Sequence, residues 1–297
     1  MSSLQLATIG LLALISLLVI RIPVGIAMLT VGIFGYVALS GLDPVLAYMK
    51  TAAFWQFASY DFCVIPMFLL MGEFASRSGL SRSLFGAANV FLGHRRGGVA
   101  MAAVGGCGAF GAICGSSLAT AGTMARVAIP ELERYRYSGS LATGALAAGG
   151  TLGILIPPSV ALIIYAIAVQ ANIVQMFQAA LIPGILGLVG YLATISIWVR
   201  LSPASGPVGA RASNRERLHA LIETWPTLLL FVVVIGGIYF GIFDPTEGAA
   251  VGAFGAGVLA FWKGHLDAAG LAACMKDAAK TTGMIFLILL GAGFLNI

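Results

Sequence analysis

Four hydroxyl side chains, Ser116, Ser117, Thr120 and Thr123, follow Gly115 inside a stretch from Gly97 to Ala125 that carries no charged residue. Ser117, Thr120 and, more loosely, Thr123 recur at helical spacing and present their hydroxyls along one face. A Gly-Ser-Ser turn also offers free carbonyls, and alkali cations take oxygen ligands. A helix beginning just after such a turn aims its first N–H groups at any anion held there. A second irregularity follows at Gly149-Gly150-Thr151-Leu152-Gly153-Ile154-Leu155-Ile156-Pro157-Pro158. Prolines remove intrahelical hydrogen bonds, so carbonyls one turn earlier are free to coordinate a cation, with Gly153, Ile156, Pro157 and Pro158 at the break and Thr151 adding a hydroxyl. Each feature has a plainer reading. Gly, Ser and Thr also serve close helix packing in membranes, and a proline pair can simply kink a helix.

The composition decides which medium holds these elements. Hydrophobic residues make up 60% of the 297 residues and charged residues 9%, against about 25% charged in soluble domains. Mean hydropathy is +1.01. The chain reads as an all-α, polytopic membrane protein. Hydrocarbon supplies no water to pair free N–H and C=O groups, so irregular backbone at that depth survives only under protein or beside a polar cavity. The charge-free Gly97–Ala125 segment with its Gly-Ser-Ser centre therefore reads as a re-entrant hairpin, about 97–129. The Pro157-Pro158 segment reads as a broken helix, about 138–169. Two interrupted segments in one membrane chain are the pattern of a secondary transporter's binding site.

Uninterrupted spans surround them: Leu4–Ile20, Val24–Leu39, Phe62–Ala75, a crossing after the Gln170–Gln175 turn, Thr224–Phe243, Thr246–Trp262 and Thr281–Ile297. Asp43–Ala58 reads as an interfacial helix and Leu80–Arg96 as a linking arm. Arginine and lysine collect at Arg21, Arg77–Arg96, Arg126–Arg136, Arg200–Arg217 and Lys263–Lys280, which assigns these segments to the cytoplasm and requires the hairpin to enter and leave on that side. The net charge of +5 belongs to these loops; no basic helix face interleaved with aromatics exists for nucleic acid.

Met49-Lys50-Thr51-Ala52-Ala53 resembles Met275-Lys276-Asp277-Ala278-Ala279, and Pro23 and Pro245 each open the second span of a half. An inverted repeat follows: residues 1–200 as the first copy, 201–220 as a cytoplasmic linker, 221–297 as the start of the second copy. By that logic a paired second hairpin is expected beyond the present sequence, and the chain alone is expected not to transport. Enzyme chemistry is not supported. His94, His219 and His265 lie in polar connectors away from the hairpin serines, no Gly-x-x-x-x-Gly-Lys loop is present, and Cys63, Cys107, Cys114 and Cys274 have no metal-ligand spacing.

Gly108-Ala109-Phe110-Gly111-Ala112-Ile113-Cys114-Gly115-Ser116-Ser117-Leu118-Ala119-Thr120, then Arg126-Val127-Ala128-Ile129-Pro130-Glu131, resembles the large membrane subunit of tripartite ATP-independent periplasmic (TRAP) transporters. So do Gly149 to Ser159 and Phe243-Asp244-Pro245-Thr246-Glu247-Gly248. The resemblance implies an elevator-type ion-transporter fold with two inverted repeats in the bacterial inner membrane. It implies sodium-coupled import of an organic acid, delivered by a periplasmic solute-binding protein, beside a small four-helix membrane subunit. It places one sodium on Ser116, Ser117, Gly153, Ile156 and Pro158, with Gly115, Thr120, Thr151 and Pro157 as possible additions, and implies no other cofactor. A related anion symporter without a binding protein, or a channel, are the alternatives.

The charge pattern yields a direct test. In a cysteine-free variant, single cysteines placed beside Gly97 and at Glu131 are expected to react with an impermeant maleimide from the same side of the membrane. Labelling from opposite sides would rule out re-entry.

Overall fold

The computed structural model describes residues 3–209, 211–264 and 266–296, apart from the side chains of residues 3, 52, 53, 55 and 56. The described residues are helical with no strand. The helices are α1 (Ser3–Val19), α2 (Val24–Ser40), α3 (Leu42–Phe57), α4 (Val64–Arg77), α5 (Leu80–Leu92), α6 (Gly98–Cys114), α7 (Ser117–Arg134), α8 (Gly139–Leu155), α9 (Val160–Ala168) and α10 (Ile173–Leu201). They continue with α11 (Asn214–Tyr239), which contains a π-turn at Val232–Gly236, α12 (Pro245–Trp262) and α13 (Ala268–Leu295).

Among the described residues, α10, α11 and α13 are each long and apolar enough to cross a bilayer alone. Two bent helix pairs are long and apolar enough when each is taken together. Tyr60–Arg77 meets α5 at 65°, and α8 meets α9 at 42°. The first bend falls at Ser78-Gly79, where Gly79 takes φ +74°, a left-handed conformation that costs glycine nothing. Many large apolar side chains face outward. Of the 29 residues in α10 only Phe177, Gly184, Ile195 and Val199 are buried, all on one stripe. Such a helix would aggregate in water; in hydrocarbon its exposed face is simply solvated.

The chain forms two compact units, 1–63 with 276–297, and 64–275. This differs from the division expected at 201–220. Part of the reason is that α12, from the second half of the sequence, packs on α4 of the first: Gly252 meets the Met71 sulfur and Gly257 the Phe74 ring.

In the first unit, α2 runs parallel to the end of α13 at backbone distance. A Cβ on Gly25 would lie 2.9 Å from the Leu287 carbonyl carbon, one on Gly32 2.8 Å from that of Phe294, and one on Gly291 2.8 Å from the Met28 Cβ. Small residues spaced by two turns permit this approach, as they commonly do between membrane helices. Phe286 of α13 stacks on Phe57 at 4.7 Å between ring centroids, with Phe62 edge-on to it. The repeat letters meet a difference here. Met49–Ala53 lies on α3, which ends at Phe57, whereas Met275–Ala279 lies on α13, which runs unbroken to Leu295.

In the second unit, α6 and α7 form an antiparallel hairpin. A Cβ on Gly106, nine residues before Gly115, would meet the Met124 side chain, nine residues after it, at 2.6 Å. Both open ends of the hairpin are held by one segment. The Gly97 N–H donates to the Gly206 carbonyl (3.1 Å), the Ser138 N–H to Ser205 (3.1 Å) and the Gly209 N–H to Gly93 (3.0 Å). The buried Tyr137 hydroxyl donates to the Pro207 carbonyl at 3.0 Å and accepts the Val99 N–H at 3.2 Å. Within the stretch read as a cytoplasmic linker, 201–220, residues 202–209 are held by these bonds, and from Asn214 the chain is helical, capped by Ser213 and Glu216. His219 accordingly lies on α11 and His94 in the turn after α5, while His265 lies outside the described residues. Asp244 and Glu247 cap the start of α12, with the Glu247 carboxylate accepting the Asp244 N–H at 3.0 Å.

Tyr137→Phe is expected to cost about 1–3 kcal/mol, because it leaves the Val99 N–H and the Pro207 carbonyl without their partner. Protease cleavage within 202–213 should accelerate in that variant. Burial pushes the Tyr137 phenol above its ordinary pKa. Its contribution is thus complete below the unfolded value and lost as pH rises through the folded one, so the two proteins should converge in thermal stability at strongly alkaline pH.

Candidate functional site

The hairpin tip is built by two residues. Gly115 closes α6 in a left-handed conformation (φ +65°) with its N–H on the Gly111 carbonyl at 2.8 Å. Ser116 is extended and caps α7, its hydroxyl accepting the Ala119 N–H at 3.4 Å. The break between α8 and α9 repeats the second device. Ser159 takes φ −130° and ψ 125°, near the −132° and 126° of Ser116, and caps α9 by accepting the Leu162 N–H at 3.4 Å. Sequence reasoning gave Ser159 no role, although a serine directly after Pro-Pro and before an apolar run carries the N-cap signal.

Tip and break touch. The Val160 N–H, at the start of α9, donates to the Gly115 carbonyl at 3.2 Å. A Cβ on Gly115 would lie 3.0 Å from the Pro158 carbonyl oxygen. Further along, α6 and α8 meet at glycines: a Cβ on Gly111 would sit 2.6 Å from the Gly153 Cα. A Cβ on Gly153 would sit 2.7 Å from the Thr120 hydroxyl oxygen and 2.9 Å from the Ser116 carbonyl oxygen. The Gly150 position faces Ala121 and the Ser117 carbonyl oxygen, the latter at 3.3 Å. Gly115, Ser116 and Thr120 of the hairpin thus converge on Gly153 and Pro158, while Ser117 meets α8 through its carbonyl at Gly150, one turn earlier.

Several oxygens at this junction lack ordinary partners. The carbonyls of Gly153 and Ile154 would be bonded by the N–H groups of residues 157 and 158 in a continuous helix, but both are proline. Thr120 is fully buried, and its hydroxyl makes no hydrogen bond of ordinary geometry. The nearby Cys114 sulfur is only a weak acceptor for it. Neutral oxygens around a glycine gap suit a hard monovalent cation, and the donor set contains no carboxylate, thiolate or imidazole that a transition metal would demand.

Two predicted members stand apart. Thr151 does not add its hydroxyl here: that group donates to the Ala148 carbonyl at 2.7 Å, pairs with the Tyr191 hydroxyl of α10 at 2.9 Å, and is exposed. The Ile156 side chain packs toward Gly108 and Gly184, so only its backbone, extended at φ −92° and ψ 121°, belongs to the break.

A helical hairpin seated in a broken helix, among apolar spans, fits a multi-pass membrane protein. The family model described as "Tripartite ATP-independent periplasmic transporter, DctM component" matches residues 11–297, and the chain belongs to that family. The C4-dicarboxylate TRAP transporter large permease protein DctM of Pseudomonas aeruginosa is 37% identical over 234 residues, covering 78% of this chain and 54% of the relative. The isethionate TRAP transporter permease protein DctMQ of Oleidesulfovibrio alaskensis is 32% identical over 278 residues, covering 92% and 42%. The ectoine TRAP transporter large permease protein TeaC of Halomonas elongata is 30% identical over 286 residues, covering 95% and 66%. The chain spans about half the length of the first of these relatives. These relatives are permeases, not enzymes.

Gly153→Ala is expected to destabilise the protein by about 1–3 kcal/mol, since the added methyl meets backbone and a buried hydroxyl that cannot retreat. Gly144→Ala, on the same helix with nothing within 4 Å of its Cβ, should be neutral or stabilise by up to about 1 kcal/mol. Thermal unfolding of the two variants in detergent measures the contrast.

Proposed function

We propose that this chain supplies the ion-binding hairpin and broken helix of a sodium-coupled TRAP transporter in the bacterial inner membrane. Sodium would be held by the Ser116 carbonyl, the Thr120 hydroxyl and carbonyls of the Gly153–Pro158 break, with Ser117, Gly115, Ile156 and Pro157 shaping the junction. The observation that carries this reading is the fully buried, unbonded Thr120 hydroxyl beside the Gly153 backbone and the Ser116 carbonyl. An apolar interior leaves such a group without a partner only at a cost of about 1–3 kcal/mol, and a bound cation removes that cost. Neutral ligands bind sodium weakly and with strict geometry, which suits an ion that must be released on every cycle.

The imported solute is read as a small organic anion, because relatives are named for C4-dicarboxylate and isethionate. It would be delivered by a periplasmic binding protein, with a small four-helix subunit beside this one. Two inverted repeats moving as an elevator fit the paired openings at Pro23 and Pro245. The TRAP names of the relatives favour this reading over a stand-alone anion symporter or a channel.

Thr120→Val tests the site without removing a protein–protein hydrogen bond. Sodium chloride, relative to choline chloride, is expected to raise the melting temperature of the wild type and of Thr151→Val. Thr120→Val should lose that rise while melting no lower in choline. A sodium response unchanged in Thr120→Val and in Ser116→Ala would return these residues to helix packing.

A further inference from the structure

The arginines at the open end of the hairpin are not spread evenly. Arg95 and Arg96, just before α6, and Arg200, in the last turn of α10, border one groove of about 640 Å³. Apart from Ser196, apolar side chains line the rest of it, among them Met101 of α6 with Val189 and Leu192 of α10. Val189 lies eleven residues before Arg200, about 16 Å along the helix. The groove therefore runs from a cationic mouth into the hydrocarbon depth. Among the described residues the three arginines make no ion pair, and no acidic side chain lines the groove.

The geometry points to a binding site for one anionic phospholipid, its phosphodiester held by Arg95, Arg96 and Arg200 and an acyl chain lying along α10. A guanidinium offers paired donors matched to phosphate oxygens, and basic pockets between membrane helices are recognised places for anionic headgroups. Charge complementarity selects the headgroup, and the apolar floor selects a lipid over a free phosphate. A stray interfacial arginine would need no groove. Three of them at the mouth of one define a site. Its ligand would brace α10 against the start of α6, beside the segment that fastens both hairpin ends.

The test uses the protein purified in detergent. Native mass spectrometry follows titration with phosphatidylglycerol, phosphatidylcholine, or soluble glycerophosphoglycerol, which carries the headgroup without chains. The wild type is expected to retain phosphatidylglycerol about tenfold or more over phosphatidylcholine and to ignore glycerophosphoglycerol. The triple variant Arg95→Gln, Arg96→Gln, Arg200→Gln should lose the preference, and the corresponding triple lysine variant should keep part of it. Ala193→Trp, at an exposed groove position, fills the channel and should abolish retention with every arginine in place. Equal retention of the two lipids by the wild type would overturn the site, whatever the variants do. So would undiminished phosphatidylglycerol binding to Ala193→Trp, competition by glycerophosphoglycerol at the lipid's own concentration, or a membrane protein helix crosslinking into the groove in the lipid's place.

Discussion

Backbone polar groups that lose their helical partners inside a bilayer must be covered, and here two interrupted helices cover each other. The contact of Gly111 with Gly153 sets the distance, since no Cβ fits between them. From that approach follow the seating of the Gly115 carbonyl on the Val160 N–H, the placement of Thr120 against the break and the close fit of Gly72 on the Cys114 carbonyl. Each unsatisfied group in hydrocarbon costs several kcal/mol, so neither interruption is tolerable without the other. The hairpin and the broken helix are one structural unit, although 40 residues separate Ser116 from Ile156 in the chain.

That junction was legible in the sequence because its cause is compositional. Gly-Ser-Ser and Pro-Pro are conspicuous in apolar text. Side-chain phase was harder to read. Thr151 lies two residues before Gly153, but on a helix that is a 200° turn, and its hydroxyl goes to Tyr191 instead of the tip. The role of Ser159 was missed because the adjoining prolines drew attention to freed carbonyls and away from the cap that starts the next helix.

Longer-range relations left weaker traces. The docking of 202–209 is carried mainly by main-chain bonds, which leave no residue-type signal, and a polar, Pro- and Gly-containing run reads as solvated by default. The helix from Asn214 was masked by arginines that suggested a loop. The packing of α12 on α4 depends on Gly252 and Gly257 meeting Met71 and Phe74, a pairing that no local pattern specifies. By contrast, the seven-residue spacing of Gly25 and Gly32 was present in the text and acquires meaning only beside Leu287 and Phe294.

The main-chain character of the 202–209 attachment sets what evolution can alter there. Gly206 and Gly209 sit where a Cβ would press on Val199 and on the Gly93 carbonyl, while the side chains of Ala204 and Val208 carry none of the described bonds. Exchange of those letters is cheap; a change in their number is not. Losing one residue between Ser205 and Gly209 would move the Gly206 acceptor off Gly97 and the Gly209 donor off Gly93 together, freeing the two hairpin ends from each other. Along this segment the fold constrains length more than residue type.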